Sequence, residues 1–238
     1  MSKIAFIPAR SGSKRFPCKN IYLLKGKPLV LWTIEAFLRS NCFDKVIFSS
    51  DSTSYLNLVQ EKIPANNLEC HLRPSEDAHD TVKIFDYLKN NVLSFASPED
   101  CFALGLPTAP LRTASHVRDC VSLYDQRGQA IFSATEYEFP ITFAFSMNNE
   151  SSNNSGWNPI FQDRSPMING NTRSQDQKKY YHPNGAIYLI KAKELFNGVK
   201  TFYQDAIPYL MTREESVDID NPIDIRVAEA ILENRSKK

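Results

Sequence analysis

A basic turn near the amino terminus contains the residue types that most clearly suggest chemistry. Residues 8–20 read PARSGSKRFPCKN, with Arg10, Lys14, Arg15 and Lys19 around a Ser-Gly-Ser centre. Gly12 lets the backbone approach a ligand closely, and successive backbone N–H groups in such a turn form an anion-binding nest. Cations spread along the turn suit a polyphosphate chain better than a single phosphate. A solvated basic turn is the alternative, and the spacing matches neither a Walker A motif nor a dinucleotide fingerprint.

Two carboxylates near the other end of the sequence suggest a metal site. Asp218 and Asp220 belong to the segment SVDID at 216–220, which predicts a short strand. Side chains at i and i+2 of a strand lie on the same face, so the two carboxylates would converge and need a cation to offset their repulsion. Mg²⁺ takes one or two carboxylates together with phosphate oxygens. The alternative is that Asp220 only caps the final helix, a task that Asn221 can also perform.

The elements that would position these residues alternate between strand and helix. Apolar patterns predict strands over 4–8, 45–49, 68–72, 101–106, 130–135 and 185–190, and helices over 29–39, 54–61, 80–93, 114–124 and 222–232. Such alternation is typical of βαβ units, so we expect an α/β fold with a mostly parallel, twisted, Rossmann-like sheet flanked by helices. Ligands bind at the carboxyl edge of such sheets, which is where the basic turn follows the first strand.

A polar segment interrupts this alternation. Residues 148–156 read NNESSNNSG and predict a turn between candidate antiparallel strands at 142–147 and 157–161. Insertions of this kind often form lids or subunit contacts. We therefore expect one domain over 1–238 that carries residues 136–181 as a lid or dimerisation segment.

Composition argues against several classes of protein. The net charge of +1, from 28 basic and 27 acidic residues, gives no field that would attract nucleic acid or an anionic membrane. The five cysteines are widely spaced without a Cys-x-x-Cys pair, which argues against a zinc site or a disulfide framework. The sequence shows neither a membrane-length apolar run nor the apolar core of a signal peptide, so we expect a cytoplasmic protein.

The basic turn resembles the amino-terminal signature of the acylneuraminate cytidylyltransferases, which make CMP-sialic acid and related CMP-nonulosonic acids. That family reads Pro/Leu-Ala-Arg-x-x-Ser-Lys and then Pro-x-Lys-Asn, a pattern found here at 8–14 and 17–20. Further motifs are similar and stand in the expected order: LRP at 72–74 with DT at 80–81, PTAPLR at 107–112, NGAIY at 184–188 and SVDID at 216–220. The resemblance covers residues 4–232, nearly the whole sequence. It implies the nucleotide-diphospho-sugar transferase type of α/β fold.

The resemblance also implies an activity and a set of site residues. The activity is Mg²⁺-dependent transfer of CMP from CTP to the anomeric hydroxyl of an acidic keto-sugar, a nonulosonic acid, with release of pyrophosphate. The implied setting is lipopolysaccharide or capsule biosynthesis by a homodimer. Catalytic roles are implied for Lys14, Lys19 and Asp220, metal binding for Asp218 and Asp220, and nucleotide binding for Arg10, Ser11, Gly12, Ser13, Asn20, Arg73 and Asp80.

The implied sugar contacts are less regular. They come from Arg112, Arg173, Gln175 and Asn184. Leu106, Ser174 and His182 replace a family glutamine and two family arginines, which changes the expected fit to a polyhydroxylated side chain. The acceptor is therefore open among N-acetylneuraminic, legionaminic and pseudaminic acids.

Three other functions remain as alternatives. A 3-deoxy-octulosonate cytidylyltransferase would perform the same chemistry on an eight-carbon sugar. A nucleotidyltransferase that uses UTP or GTP would usually carry a more glycine-rich loop. An inactive nucleotide-binding homologue would keep the fold, but the intact lysines and aspartates of the motifs argue against it.

Overall fold

The computed structural model describes residues 1–13, 15–149 and 155–235. Two compact units are present: the first comprises Met1–Ala134 and Pro183–Lys238, and the second comprises Thr135–His182. The bounds of the second unit lie one residue outside the predicted insertion at each end. Its role as a lid or subunit contact stays a prediction.

The regular elements follow the predicted alternation along the chain. The strands are β1 (Lys3–Pro8), β2 (Leu23–Leu24), β3 (Lys27–Pro28), β4 (Lys45–Ser50), β5 (Leu68–Leu72), β6 (Cys101–Leu104), β7 (Ile131–Glu136), β8 (Phe145–Met147), β9 (Trp157–Pro159), β10 (Tyr181–Lys191) and β11 (Ile207–Leu210). The α-helices are α1 (Leu29–Ser40), α2 (Thr53–Lys62), α3 (Ile84–Phe95), α4 (Ala114–Arg127), α5 (Pro166–Asn169), α6 (Ala192–Asn197) and α7 (Pro222–Arg235). Short 3₁₀ turns at Lys19–Ile21, Ser75–Ala78, Ile141–Phe143, Gln162–Arg164, Ser174–Asp176 and Arg213–Glu215 lie between them.

A seven-stranded sheet organises the first unit, and its order is β11-β7-β10-β6-β1-β4-β5. The neighbours β6, β1, β4 and β5 run parallel, as do β7 and β11, whereas β10 is antiparallel to β6. The predicted α/β fold with a mostly parallel sheet is therefore confirmed.

Alternating side chains of the strands enter two separate cores. Ala5 and Ile7 of β1 pack in one apolar cluster with residues of α1, α2 and α4. Ile4 and Phe6, which point to the opposite face, pack in a second cluster with residues of α3 and α6. Because a strand alternates its side chains between two faces, the sheet is covered by helices on both sides.

A third apolar cluster joins the two ends of the chain. Phe16 of the basic turn is buried against Ile219, Ile225 and other residues near and within α7. Ile219 is fully buried and its N–H donates to the Thr108 carbonyl oxygen at 2.7 Å. The segment that carries Asp218 and Asp220 is thus held beside the basic turn.

Two predicted elements differ from the structure. Residues 216–220 are irregular rather than a strand, because the Ile219 N–H is bonded to a loop carbonyl and not to a sheet neighbour. The helix predicted from residue 80 begins at Ile84, since 80–83 form a turn after the 3₁₀ helix Ser75–Ala78.

The second unit contains the predicted hairpin. β8 pairs antiparallel with β9, with Phe145 opposite Pro159 and Met147 opposite Trp157. The rings of Phe145 and Trp157 meet edge to face at 5.6 Å. Residues 150–154 of the connecting turn lie outside the described part of the chain.

Each of the five cysteines lies within the described residues and is a free thiol, as the sequence predicted. No helix in the described part of the chain has the length and apolar character that a membrane span requires.

Candidate active site

A cavity of about 550 Å³ opens at the carboxyl edge of the sheet in the first unit. Its lining is contributed by the basic turn, the segment after β5, the loop after β6 and the segment before α7. Seven predicted site residues line it: Arg10, Ser13, Lys19, Asn20, Arg73, Asp80 and Asp220. Lys14, for which a catalytic role is implied, lies outside the described residues.

The basic turn is held in place by its own polar groups. The Asn20 side chain is buried, and its Nδ2 donates to the Arg10 carbonyl oxygen at 2.9 Å. Cys18 adopts a left-handed conformation with φ of 54°, which reverses the chain just before the 3₁₀ helix Lys19–Ile21. A Cβ atom on Gly12 would meet no atom of the described residues within 4 Å, so their packing imposes no demand for glycine there.

Lys19 and Asp220 bring the two predicted clusters together. Lys19 Nζ lies 2.8 Å from Asp220 Oδ1, across 201 residues of sequence. The Lys19 side chain is 12% exposed, so this ion pair is partly shielded from solvent. Arg15 Nη1 lies 3.1 Å from Asp220 Oδ2, but the Arg15 side chain is 73% exposed and its contribution to stability is small.

The two aspartates differ in protonation behaviour. The hydrogen bond from Lys19 is the main reason why the pKa of Asp220 lies below the ordinary value of 3.8. Desolvation raises the pKa of Asp218 even though its side chain retains access to solvent, and repulsion from Asp220 adds to the rise. A hydrogen bond from Thr108 opposes that rise without cancelling it. Like-charge repulsion is thus present between the two residues, as a carboxylate pair awaiting a cation requires.

The donor set around this pair suits a cation that is completed by other ligands. Within the described residues, no group of three or more histidine, cysteine, aspartate or glutamate side chains gathers at one point. Two carboxylates are nevertheless enough for Mg²⁺, which binds through one or two carboxylates plus substrate phosphates and water. The residues present therefore fit that ion.

Arg73 is an almost fully buried cation in the wall of the cavity. The residue is 5% exposed, its guanidinium lies over the Tyr87 ring at 5.5 Å, and its buried Nε has no hydrogen-bond partner among the described residues. Burial lowers the pKa of Arg73, and the nearby charges of Tyr87 and Asp51 oppose that shift. A guanidinium that lines a cavity is suited to bind an oxygen acceptor of a ligand.

Two residues that the resemblance places at the sugar are buried inside the framework. Arg112 is 3% exposed; its Nη1 donates to Thr33 Oγ1 at 2.6 Å and its Nη2 donates to the Leu106 carbonyl oxygen. Leu106 itself lines the cavity, so Arg112 supports the wall from behind. This position differs from the expected sugar contact, because the guanidinium is used by framework oxygens.

Asn184 is the second of these buried residues. Its Oδ1 accepts from Ser133 Oγ at 2.6 Å and from the Ala186 N–H, and its Nδ2 donates to Ser216 Oγ at 2.8 Å. The side chain therefore links β7, β10 and the segment before Asp218. The expected sugar-facing role differs from this placement, since the amide already has framework partners on both of its polar atoms.

The remaining predicted sugar residues belong to the second unit. Arg173 is largely exposed and its Nε lies 3.6 Å from Asp176 Oδ2. Gln175 lies on the 3₁₀ helix Ser174–Asp176 and lines a smaller cavity of about 250 Å³ within that unit. Their sugar contacts stay predictions.

Sequence reasoning overlooked Asp51, which follows β4 at the same edge of the sheet. Asp51 accepts two hydrogen bonds from Ser11 of the basic turn. The available signal was a carboxylate directly after a buried strand, where open α/β sheets place their ligand-binding residues.

The amino-acid sequence is similar to those of known cytidylyltransferases. A family model described as cytidylyltransferase matches residues 4–96. The chain is 33% identical to an N-acylneuraminate cytidylyltransferase of Escherichia coli over 99% of its own length, and it spans about half (53%) of that relative. It is 31% identical to a CMP-N,N'-diacetyllegionaminic acid synthase of Legionella pneumophila over 98% of this chain and 97% of the relative.

A solved structure shares the fold at low identity. It is the CMP:2-keto-3-deoxy-manno-octonic acid synthetase complexed with CTP, at a TM-score of 0.68 and 14% identity, covering 99% of this chain and 100% of that one. Identity at this level shows the fold alone. The identity over nearly full length to the Legionella relative carries the assignment further: the chain belongs to the acylneuraminate cytidylyltransferase family.

Proposed function

We propose that this chain transfers CMP from CTP to the anomeric hydroxyl of a nonulosonic acid and releases pyrophosphate. The observation that carries the proposal is the 2.8 Å contact between Lys19 and Asp220 inside the cavity, because it joins the basic turn proposed to bind the triphosphate to a carboxylate proposed to bind Mg²⁺. The names of the two relatives, an N-acylneuraminate cytidylyltransferase and a CMP-N,N'-diacetyllegionaminic acid synthase, support the choice of acceptor class.

The basic turn would bind the triphosphate. Arg10 and Lys19 line the cavity and present positive charge to it. The α-phosphorus accepts a nucleophile only when its oxygens are neutralised and the departing pyrophosphate is stabilised. These side chains supply that neutralisation, and Lys14 would add to it.

Asp218 and Asp220 would hold Mg²⁺. When bound, the ion would polarise the α-phosphate and help lower the pKa of the attacking hydroxyl. Phosphate oxygens would replace the carboxylate as partners of Lys19. The Lys19–Asp220 ion pair therefore keeps both groups ordered before the nucleotide arrives.

Arg73 would recognise the pyrimidine. Its fork of N–H donors matches a carbonyl oxygen, and the residue lines the cavity. The buried position gives such a bond a low-dielectric setting, where it discriminates more strongly than at the surface.

The reaction would be a direct displacement. The anomeric oxygen forms a bond to the α-phosphorus, the bond from that phosphorus to the oxygen linking it to the β-phosphorus breaks, pyrophosphate leaves with that oxygen, and the hydroxyl proton passes to solvent. No covalent enzyme intermediate is needed, since positioning and charge neutralisation lower the barrier.

The wider setting is part of the same proposal. The protein would act in the cytoplasm as a homodimer and serve the assembly of a lipopolysaccharide or capsule. Light scattering at micromolar protein tests the dimer: a mass twice the 27.1 kDa of one chain supports it, and a mass of one chain contradicts it.

Pyrophosphate release from CTP tests the activity. The acceptors are N-acetylneuraminic, diacetyllegionaminic, pseudaminic and 3-deoxy-octulosonic acids, each with Mg²⁺ and with UTP in place of CTP as the control. We expect turnover with CTP and at least one nine-carbon acid. Turnover on the eight-carbon acid alone would support the octulosonate alternative, equal turnover with UTP would refute cytidine specificity, and no turnover with any acceptor would indicate an inactive homologue.

A further inference from the structure

Three neighbouring strands end side by side below the cavity. β1 leads into Ser11, β4 leads into Asp51 and β5 leads into Arg73. β4 is the middle strand of the three, so Asp51 stands between the basic turn and the buried arginine.

We propose that Asp51 is a positioning residue for the nucleotide: it fixes the basic turn through Ser11 and serves as the counter-charge of Arg73. The inference rests on the proposed function and adds a residue to it. Asp51 does not belong to the described lining of the cavity, so it would act through these two neighbours rather than by touching CTP.

The contact with the basic turn uses both oxygens of the Asp51 carboxylate. Ser11 N–H donates to Oδ1 at 2.8 Å, and Ser11 Oγ donates to Oδ2 at 2.6 Å, across 40 residues of sequence. Hydrogen bonds to an ionised acceptor are the strong class, and two of them fix both the backbone and the side chain of Ser11. Burial raises the pKa of Asp51, but the bonds from Ser11 outweigh it, so the carboxylate is ionised at neutral pH.

Asp51 is also linked to Arg73, through the backbone and through its charge. The backbone N–H of Arg73 donates to the Ser50 carbonyl oxygen at 2.8 Å, which holds the backbone of Arg73 next to that of Asp51. Asp51 and Arg73 each stabilise the charged form of the other. A guanidinium that is 5% exposed needs nearby negative charge, and Asp51 and Asp77 both supply it.

The same strand carries a matched control at its other end. Asp44 precedes β4 and its Oδ2 accepts from the Lys3 N–H at 2.8 Å, just as Asp51 accepts from Ser11. The seven-residue separation along an extended strand places it about 20 Å from Asp51. Asp44 therefore joins β1 to β4 by the same kind of bond, away from the cavity.

The test compares Asp51→Ala, Asp51→Asn and Ser11→Ala with Asp44→Ala. The readouts are KM for CTP, KM for the sugar acid, kcat and melting temperature, and calorimetric titration of each variant with CTP and Mg²⁺. Asp51→Ala removes the charge-assisted hydrogen bonds that position the basic turn. We therefore expect KM for CTP to rise by roughly 10- to 100-fold in this variant. KM for the sugar should stay within twofold.

Asp51→Asn and the double variant distinguish positioning from general stabilisation. Asn keeps an acceptor for Ser11 but removes the counter-charge of Arg73, so we expect an intermediate KM for CTP. Asp51→Ala/Ser11→Ala should show less than the product of the two single effects, because both changes remove the bond from Ser11 Oγ to Asp51 Oδ2. If Asp51→Ala does not fold, Asp51→Asn and Ser11→Ala still give the comparison.

The proposal is overturned if the Asp51 variants lose melting temperature as Asp44→Ala does while KM and Kd for CTP match the wild type. If the wild type turns over no acceptor, the proposed function fails, and the calorimetric Kd for CTP still decides the role of Asp51. A wild type that binds CTP and an Asp51→Ala variant that binds it tenfold more weakly support the inference. Equal binding contradicts it.

Discussion

At each end of strand β4 an aspartate carboxylate accepts a backbone N–H from a residue that begins or follows β1, but the surroundings of the two aspartates differ. At the amino end Asp44 accepts a backbone N–H from Lys3, and at the carboxyl end Asp51 accepts one from Ser11. Asp44 joins β1 to β4 at an edge where no predicted site residue lies. Around Asp51 the neighbouring loops carry cations that face a cavity. A hydrogen bond that joins two strands is therefore found at both edges of the sheet. Ligand binding needs, in addition, charged side chains that other protein groups do not already use.

Arg73 and Arg112 repeat this contrast inside the protein. Both are at most 5% exposed, and each guanidinium lies within 6 Å of an aromatic ring, Tyr87 or Phe37. In the part of the chain that the structure describes, the Nε of each has no hydrogen-bond partner. Arg112 gives its other donors to Thr33 and Leu106, which belong to the framework. Arg73 lines the cavity, so similar burial serves binding in one case and support in the other.

The largest expected effect comes from Asp220, where both clusters meet. Asp220→Asn keeps the size of the side chain but removes the charge that Lys19 and Mg²⁺ would share. We expect kcat/KM for CTP to fall by on the order of 10³-fold, because metal-assisted charge stabilisation is worth several kcal/mol in the transition state. Asp205→Asn, an exposed aspartate near β11, is the control and should stay within twofold of wild type. Full activity in Asp220→Asn would contradict the metal role.

The next effect separates the two buried arginines. Arg73→Met should raise KM for CTP by roughly 10- to 100-fold with little loss of stability, since a ligand-facing charged hydrogen bond is lost. Arg112→Met should lower the free energy of unfolding by about 1–3 kcal/mol while KM for CTP changes little, because Thr33 and Leu106 lose their donors. Steady-state kinetics and urea denaturation measure the two effects. The reverse pattern would show that the contrast between the arginines is wrong.

Substitution of Asn184 tests whether this residue stabilises the fold or contacts the sugar acid. Asn184→Ala leaves Ser133, Ser216 and the Ala186 N–H without their buried partner, so we expect a loss of about 1–3 kcal/mol in the free energy of unfolding. KM for the sugar acid should stay near the wild-type value. A large rise in that KM without loss of stability would restore the sugar-contact role that the resemblance implied.

The smallest expected effect is the pH dependence that Asp51 contributes. Its pKa lies below 3.8 in the folded protein, so its stabilising contribution is complete above the unfolded value and is lost as pH falls through the folded pKa. The stability difference between wild type and Asp51→Asn should therefore be constant from pH 5 to 8 and shrink below about pH 4. Thermal denaturation across this range measures it. A difference that already changes between pH 6 and 8 would contradict a lowered pKa.

The helices and strands can be predicted well from the sequence, because the spacing of apolar residues follows from which side chains are buried. The buried strand at 4–8 and the helix at 29–39 are found with bounds shifted by one residue at one end each. Lys19 and Asp220, for which the resemblance implies catalytic roles, are in contact in the structure.

The structure differs from the sequence-based expectations at residues whose types suit both a structural hydrogen bond and a ligand contact. Arg112 and Asn184 follow motifs of the family, yet the framework uses their polar atoms, which residue type alone does not reveal. Asp218 and Asp220 belong to an irregular segment that is anchored by Ile219, which is buried in the same apolar cluster as Phe16. That anchoring depends on a packing contact between distant parts of the chain, which a local strand pattern does not contain.

A double-mutant cycle on Lys19→Met and Asp220→Asn, read as kcat/KM for CTP with Mg²⁺, tests most directly that the two residues act on one nucleotide–metal complex. We predict that each single variant loses nearly as much activity as the double variant, since either change disables the shared site. Losses that multiply in the double variant would show two independent contributions and would contradict a single site.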